Sequence, residues 1–253
     1  MSALQKRKKA GLNSLILRIS GLVAMCADYV YTYLFPGRYW VMNMEWLAFP
    51  LFAFLLAEGF MKTSDKKLYL RRLIVFAVIS EFPYDYLTSA KFFSLDTQSV
   101  MVTLLIGFLC IWALSWIREK AGNVALTGIS AAALAWIGTF AALRLGAFMG
   151  RYGVIIIIIF YVSLNVTYTR LMQLGAFLIL ALAIASDYMS TKPIGGYIYS
   201  FPAQIFIFAA LILIAFYNGE RGPNSRPVKI ACYLAYPVIT LITAILFASG
   251  VRF

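Results

Sequence analysis

Nine runs of roughly twenty mostly apolar residues follow one another along this chain, separated by short polar breaks. As a helix rising about 1.5 Å per residue, a run of that length matches the hydrocarbon core of a bilayer, about 30 Å. The runs lie at about 12–34, 40–60, 68–88, 98–117, 123–143, 152–168, 171–188, 197–217 and 230–249, each bounded by charge, Gly, Pro or Asn. The fifth is rich in Ala and Gly, and the sixth is short. In lipid the backbone must satisfy its own hydrogen bonds, and no ten-residue alternating pattern recurs as a barrel requires, so the runs are helical. The expectation is an all-α, polytopic transmembrane bundle of about nine helices, forming a single integral membrane domain over residues 1–253. A chain that is 62% hydrophobic and only 13% charged lies outside the range of a water-soluble domain.

Basic residues orient the bundle. With a cytoplasmic amino terminus, one side carries Lys6, Arg7, Lys8, Lys9, Lys62, Lys66, Lys67, Arg71, Arg72, Arg118, Lys120, Arg170, Arg221, Arg226 and Lys229. The other carries only Arg38, Lys91, Arg144, Arg151, Lys192 and Arg252, and Arg18 falls inside the first run. This asymmetry follows the positive-inside rule and predicts a multi-pass membrane protein with its amino terminus in the cytoplasm. The first run is too long for a signal-peptide core and is read as a retained span. The net charge of +12 is thus accounted for by cytoplasmic loops facing membrane lipid. No basic stretch is interleaved with groove-reading elements, so no nucleic-acid partner is expected.

The chain has no histidine, and its three cysteines, Cys26, Cys110 and Cys232, sit within apolar runs. Zinc sites and Ser-His-Asp or Cys-His catalysis are excluded as ordinarily built, and no metal is expected. Any acid or base is then a carboxylate, Tyr, Lys or Cys.

Charges inside a span cost several kcal/mol and normally face the bundle interior, often at a site. Asp28, Glu45, Glu81 and Asp85 fall in the outer half of their runs, Arg18 and Glu58 in the inner half. Glu81 and Asp85, four apart, share a helix face, and Pro83 between them kinks or ends the helix. They either wall a cavity, or Asp85 lies at the interface while Glu81 pairs with Arg144 or Arg151. Arg18 and Glu58 are read as a buried ion pair or as part of a site. Arg71 and Arg72, with Lys66 and Lys67, either hold the phosphates of an anionic cytosolic cofactor or contact lipid headgroups as a topology signal. Tyr33, Trp40, Tyr69, Tyr188 and Tyr197 read as an aromatic belt. Gly146-x-x-x-Gly150 is either a close helix contact or a turn.

Several ordered motifs carry a resemblance. They are Met25-Cys-Ala-Asp28, Ala48-Phe-Pro-Leu-Phe-Ala-Phe-Leu-Leu-Ala-Glu58-Gly59-Phe60 with Thr63, and Tyr69-Leu-Arg71-Arg72 through Ser80-Glu81-Phe-Pro83. Thr103-Leu-Leu-Ile-Gly107, Tyr152-Gly153, Phe216-Tyr-Asn218-Gly219 and Tyr236-Pro237 follow. In this order the chain resembles the TraX family, membrane proteins named for the acetylation of conjugative pilin. It departs from the family at polar positions. Asp28-Tyr29 stands where the family has Asp-His, and Glu45-Trp46 where it has Gly-Arg. Ser99 stands for an Asn, Arg151 for an acidic residue, and Ile239 for a His.

The resemblance implies transfer of an acetyl group from acetyl-CoA to a peptide, glycan or small-molecule acceptor at the membrane. Such a step needs a base for the acceptor and a donor for the thioester oxyanion. Without histidine the base role falls to Asp28, Glu81 or Asp85, with Tyr29 as a hydrogen-bond donor. Arg71 and Arg72, together with Arg18 and Glu58, are the expected cofactor-binding set. A rival reading, motivated by the rewritten polar positions, is a non-catalytic scaffold or binding subunit with a membrane-protein partner or a second copy. A third is a transporter using the outer carboxylates as an ion pathway.

Overall fold

The protein is described by a computed structural model over residues 11–35, 43–165, 169–184, 189–194, 197–202, 206–223 and 225–251. Lys6, Arg7, Lys8, Lys9, Arg38, Trp40, Tyr188 and Arg252 lie outside the described residues. The helices are α1 (Ser14–Leu34), α2 (Glu45–Lys62), α3 (Lys66–Ser89), α4 (Val100–Ala121), α5 (Val124–Arg144), α6 (Gly153–Ser163), α7 (Thr169–Ile184), α8 (Phe206–Ala215) and α9 (Arg226–Ala248). Between α7 and α8 run two antiparallel strands, β1 (Met189–Ile194) and β2 (Tyr197–Pro202), in register from Met189 opposite Pro202 to Ile194 opposite Tyr197.

Each apolar run thus yields a helix, and the helix starts are written in side chains. Asn13 accepts the Ile16 N–H at 3.1 Å, Asp65 the Leu68 N–H at 2.8 Å, and Asn123 the Ala125 N–H at 2.8 Å. Two expectations are corrected. Pro83 does not end its helix, since α3 continues to Ser89. The eighth run is not one span: its first residues, Tyr197-Ile-Tyr-Ser-Phe-Pro202, form β2, and α8 begins only at Phe206. Aromatic and β-branched residues raise hydropathy and strand preference together, so an apolar window reads both alike.

Length separates the helices further. α1, α4, α5 and the Ile230–Ala248 part of α9 are long and apolar enough to cross a membrane. α2 and α3 are long enough but carry Glu45, Glu58 and Lys62, and Lys66 through Arg72 with Glu81 and Asp85. α6 and α8, of 11 and 10 residues, reach only about 15–16 Å.

The core is built around α2 and α6. Trp46, Phe49, Leu51 and Phe60 of α2 and Ile156, Ile157 and Phe160 of α6 are all at most 2% exposed. α6 enters so closely that glycines are required. A Cβ at Gly107 would lie 2.2 Å from the Ile157 side chain, and one at Gly153 would meet Thr103 at 2.5 Å. Two glycines of the family-like motifs, in Thr103–Gly107 and Tyr152-Gly153, are therefore explained by packing. The outside of the bundle is apolar instead of polar: Val78 on α3, Trp136 on α5, Ile179 and Leu182 on α7 and Ile242 on α9 are all more than half exposed.

At the end where α3 meets α4 and α5 meets α6, the two connections are laced together. The Gln98 N–H donates to the Gly146 carbonyl at 2.9 Å, and the Phe148 N–H to the Gln98 carbonyl at 2.8 Å. Gly146, at φ +62°, takes a left-handed conformation with the Asp96 carbonyl where a Cβ would be. The Gly146/Gly150 pair is a turn.

Candidate functional site

Two groups of charged side chains occupy opposite ends of the helices. The first surrounds the start of α1. The chain ahead of α1 pairs with the segment after α8: Leu12 N–H donates to Phe216 O at 2.9 Å, and Asn218 N–H to Leu12 O at 2.8 Å. The Ser14 hydroxyl then donates to Arg221 O at 3.0 Å. This lacing puts Arg221 beside Arg18, 203 positions earlier in the chain. Together with Glu58, Lys62, Asp65 and Arg72 they line a polar cavity of about 350 Å³.

Four cations face two carboxylates in that cavity, and both carboxylates are already engaged. Asp65 caps α3, while Glu58 pairs with Lys62 at 2.6 Å. The expected Arg18–Glu58 ion pair is therefore corrected: Lys62, one turn along the same helix, takes the carboxylate and also donates to Gly219 O at 2.8 Å. Of the expected cofactor-binding set, Arg18, Glu58 and Arg72 come together. Arg71 is exposed and does not line the cavity, because adjacent residues on a helix point about 100° apart.

The polar cavity has an apolar neighbour. A second, narrower pocket of about 100 Å³ shares Arg18, Leu55, Tyr69 and Tyr233 with it and runs between α1, α2, α3, α4 and α9. Its walls are apolar, including Met25, Leu56, Leu73 and Leu104, and Phe76 stacks on Tyr233 at 4.3 Å between ring centres. Tyr236 also lines this pocket. Its hydroxyl meets that of Tyr29 at 3.3 Å, an oxygen–oxygen contact in which either hydroxyl serves as donor.

At the opposite end lie the remaining expected catalytic residues. Asp28 is 7% exposed and its Oδ1 accepts the Met44 N–H at 3.1 Å. Asp85 is 1% exposed and accepts the Ser94 N–H at 2.9 Å through Oδ2. Glu81 accepts both the N–H of Ser99, at 3.1 Å, and its hydroxyl, at 2.5 Å. Glu81 thus takes Ser99 as partner and not Arg144 or Arg151, and Arg144 lies instead over the Phe140 ring. Met44 and Ser99 are the N-caps of α2 and α4, so Asp28 and Glu81 each set a negative charge at the positive end of the helix that follows.

Glu45 lies near Asp28, and Tyr84 lies near both Glu81 and Glu45. Tyr236 lies in the same neighbourhood as Glu81 and Tyr84. The structure therefore brings Asp28, Tyr29, Glu81 and Asp85 to one end, adjoining the inner limit of the pocket through Tyr29 and Tyr236.

Lys62, Arg221, Tyr69, Tyr233 and Tyr236 were not among the expected site residues. Tyr236 had a signal, the Tyr236-Pro237 motif. The sequence places Tyr69 in an aromatic belt, yet its side chain lines both cavities.

No curated protein and no solved structure matches the chain. The family model described as TraX protein does match, over residues 14–246. That match runs from the first residue of α1 into the last turn of α9 and takes in every group described above, and the chain therefore belongs to the TraX family.

Proposed function

We propose that this protein is a membrane-embedded acetyltransferase of the TraX type, using acetyl-CoA from the cytoplasm to modify a peptide, glycan or small-molecule acceptor at a bacterial inner membrane. The outward-facing apolar side chains and the long apolar helices support the membrane setting. The bias of basic residues supports a cytoplasmic amino terminus, which turns the Arg18, Arg72 and Arg221 cavity toward the cytosol. A multi-pass bundle follows from this orientation.

One observation carries the reading: the cation-lined cavity and the apolar pocket share four lining residues and so adjoin each other, the pocket reaching Tyr236, whose hydroxyl meets that of Tyr29. An anionic nucleotide suits the mouth, where arginine forks match phosphate geometry. A thin, weakly polar thioester arm suits the pocket beyond. At its inner limit the acceptor nitrogen or oxygen attacks the thioester carbonyl, the new bond to carbon forms, and the carbon–sulfur bond breaks. The acceptor proton passes to a carboxylate, Glu81 or Asp28, and the departing thiolate takes up a proton. A Tyr29 or Tyr236 hydroxyl donates to the oxyanion in between.

The test is transfer of labelled acetyl from acetyl-CoA to candidate amines and hydroxyls by the purified full chain, with Asp28→Asn and Glu81→Gln alongside. The reading expects transfer by the parent protein and its loss in the variants. Absence of both transfer and acetyl-CoA binding removes it.

A second reading is favoured by one observation: Asp28, Glu81 and Asp85 each already hold a backbone N–H of the following connection. On this reading the carboxylates are structural and the protein is a non-catalytic scaffold for a membrane partner or a second copy. Acetyl-CoA binding without any transfer, together with a co-purifying stoichiometric partner, separates the second reading from the first.

A further inference from the structure

Away from the basic cavity, a groove opens on the flank of the bundle where α6 stops short. α6 covers about 16 Å, whereas its neighbours α4 and α5, of 22 and 21 residues, cover about 32 Å. The shortfall leaves a cavity of about 560 Å³ between α4, α5, the end of α6 and α7, walled mainly by residues such as Leu114, Val124, Ala131, Val162 and Met172. This is the size of a ligand site. Asn165, which also lines it, spends its amide on Tyr161 O at 2.7 Å.

Arg118 is the cation lining this groove. It is exposed and has no carboxylate partner among the described residues, since neighbouring Glu119 accepts the Ser115 hydroxyl at 3.1 Å. Val124 and Gly128, one turn apart on α5, are both exposed while lining the groove, so it opens on that side to the medium around the helices.

We infer that this groove is a binding site for an anionic phospholipid, with one acyl chain along the apolar walls and the phosphate on Arg118. Three features select that occupant. The lateral opening admits a molecule from the bilayer itself. The α5 wall from Val124 to Ala131 is only about 10 Å long, a third of a crossing, so a second transmembrane helix has no seat there. The uncompensated guanidinium selects a negatively charged headgroup and forms paired hydrogen bonds to phosphate. The inference rests on the membrane setting proposed above and is independent of catalysis.

Gly128 supplies the decisive variant, because it lines the groove and a Cβ there meets nothing within 4 Å. Gly128→Phe therefore fills the groove without disturbing Arg118. The full chain is purified in detergent, offered phosphatidylglycerol or phosphatidylcholine of equal chain length, and read by native mass spectrometry. One phosphatidylglycerol per chain is expected, held about 10-fold more tightly than phosphatidylcholine, as one charge-assisted contact predicts. Arg118→Gln brings the two lipids level. Gly128→Phe removes both while the melting temperature is kept, and Arg170→Gln, a cation outside the groove, changes neither. Equal retention of the two lipids by the parent protein overturns the inference. So does a folded Gly128→Phe that still retains phosphatidylglycerol, or an Arg170→Gln loss equal to that of Arg118→Gln.

Discussion

The two ends of this bundle handle charge in opposite ways. At the acidic end, Asp28, Glu81 and Asp85 are buried or partly buried, and each accepts a backbone N–H from the connection that follows its own helix, although Asp85 Oδ1 is left without a hydrogen-bond partner. At the basic end, Arg18, Arg72 and Arg221 stand around a cavity, and among the described residues that line it only Lys62 pairs with a carboxylate. Backbone donors come fixed in place by helix starts, so they close a structure around an anion. Long basic side chains keep their heads in water and leave room between them. The comparison teaches that the carboxylates of one end are engaged by backbone donors, whereas the cations of the other line open space.

The strongest way to break that contrast is at the open end. The double variant Arg18→Gln, Arg72→Gln should weaken acetyl-CoA binding about 100-fold, the loss of two charge-assisted contacts at about 1.5 kcal/mol each, with no fall in melting temperature. Calorimetric titration reads it, and an unchanged affinity places the nucleotide elsewhere.

Glu81→Ala addresses the closed end. It leaves the Ser99 N–H at the start of α4 without its acceptor and should cost about 1–3 kcal/mol, seen as faster hydrogen exchange around residues 94–100. If exchange there is unaltered, Glu81 is not what holds that connection.

Tyr236→Phe probes the junction between the ends. Losing one neutral hydrogen bond should cost about 1 kcal/mol in thermal unfolding, while acetyl transfer slows by about 10-fold. A fall in stability with full transfer would make the hydroxyl pair purely structural.

The smallest effect is expected from Lys62→Met. Its pair with Glu58 is partly exposed, and such pairs within one helix contribute about 0.3–0.5 kcal/mol. High salt should erase the difference; persistence in high salt would assign it to the Gly219 carbonyl contact instead.

Much of this was legible in the sequence, and the remainder fails for definite reasons. Hydropathy located every helix because apolar runs and helix-length spacing leave a direct trace. It did not locate β1 and β2, whose aromatic residues look like part of a span, and it could not see that Ser163 ends α6 so early. The grouping of Asp28, Glu81 and Asp85 at one end followed from counting residues along helices. Their partners did not follow, because a backbone N–H at Met44, Ser94 or Ser99 carries no residue signature. Arg72 and Arg71 are neighbours in sequence and part company on the helix, a distinction that only rotational phase resolves.

The strand-like pairing of Leu12 with Phe216 and Asn218 has a consequence for biogenesis. The basic cavity borrows Arg18 from the beginning of the chain and Arg221 from near its end, so it cannot exist while the ribosome is still making the middle. The first helix has to wait in the bilayer for the eighth, and a nascent chain arrested before Phe216 would possess most of the cations of the chamber but none of its closure.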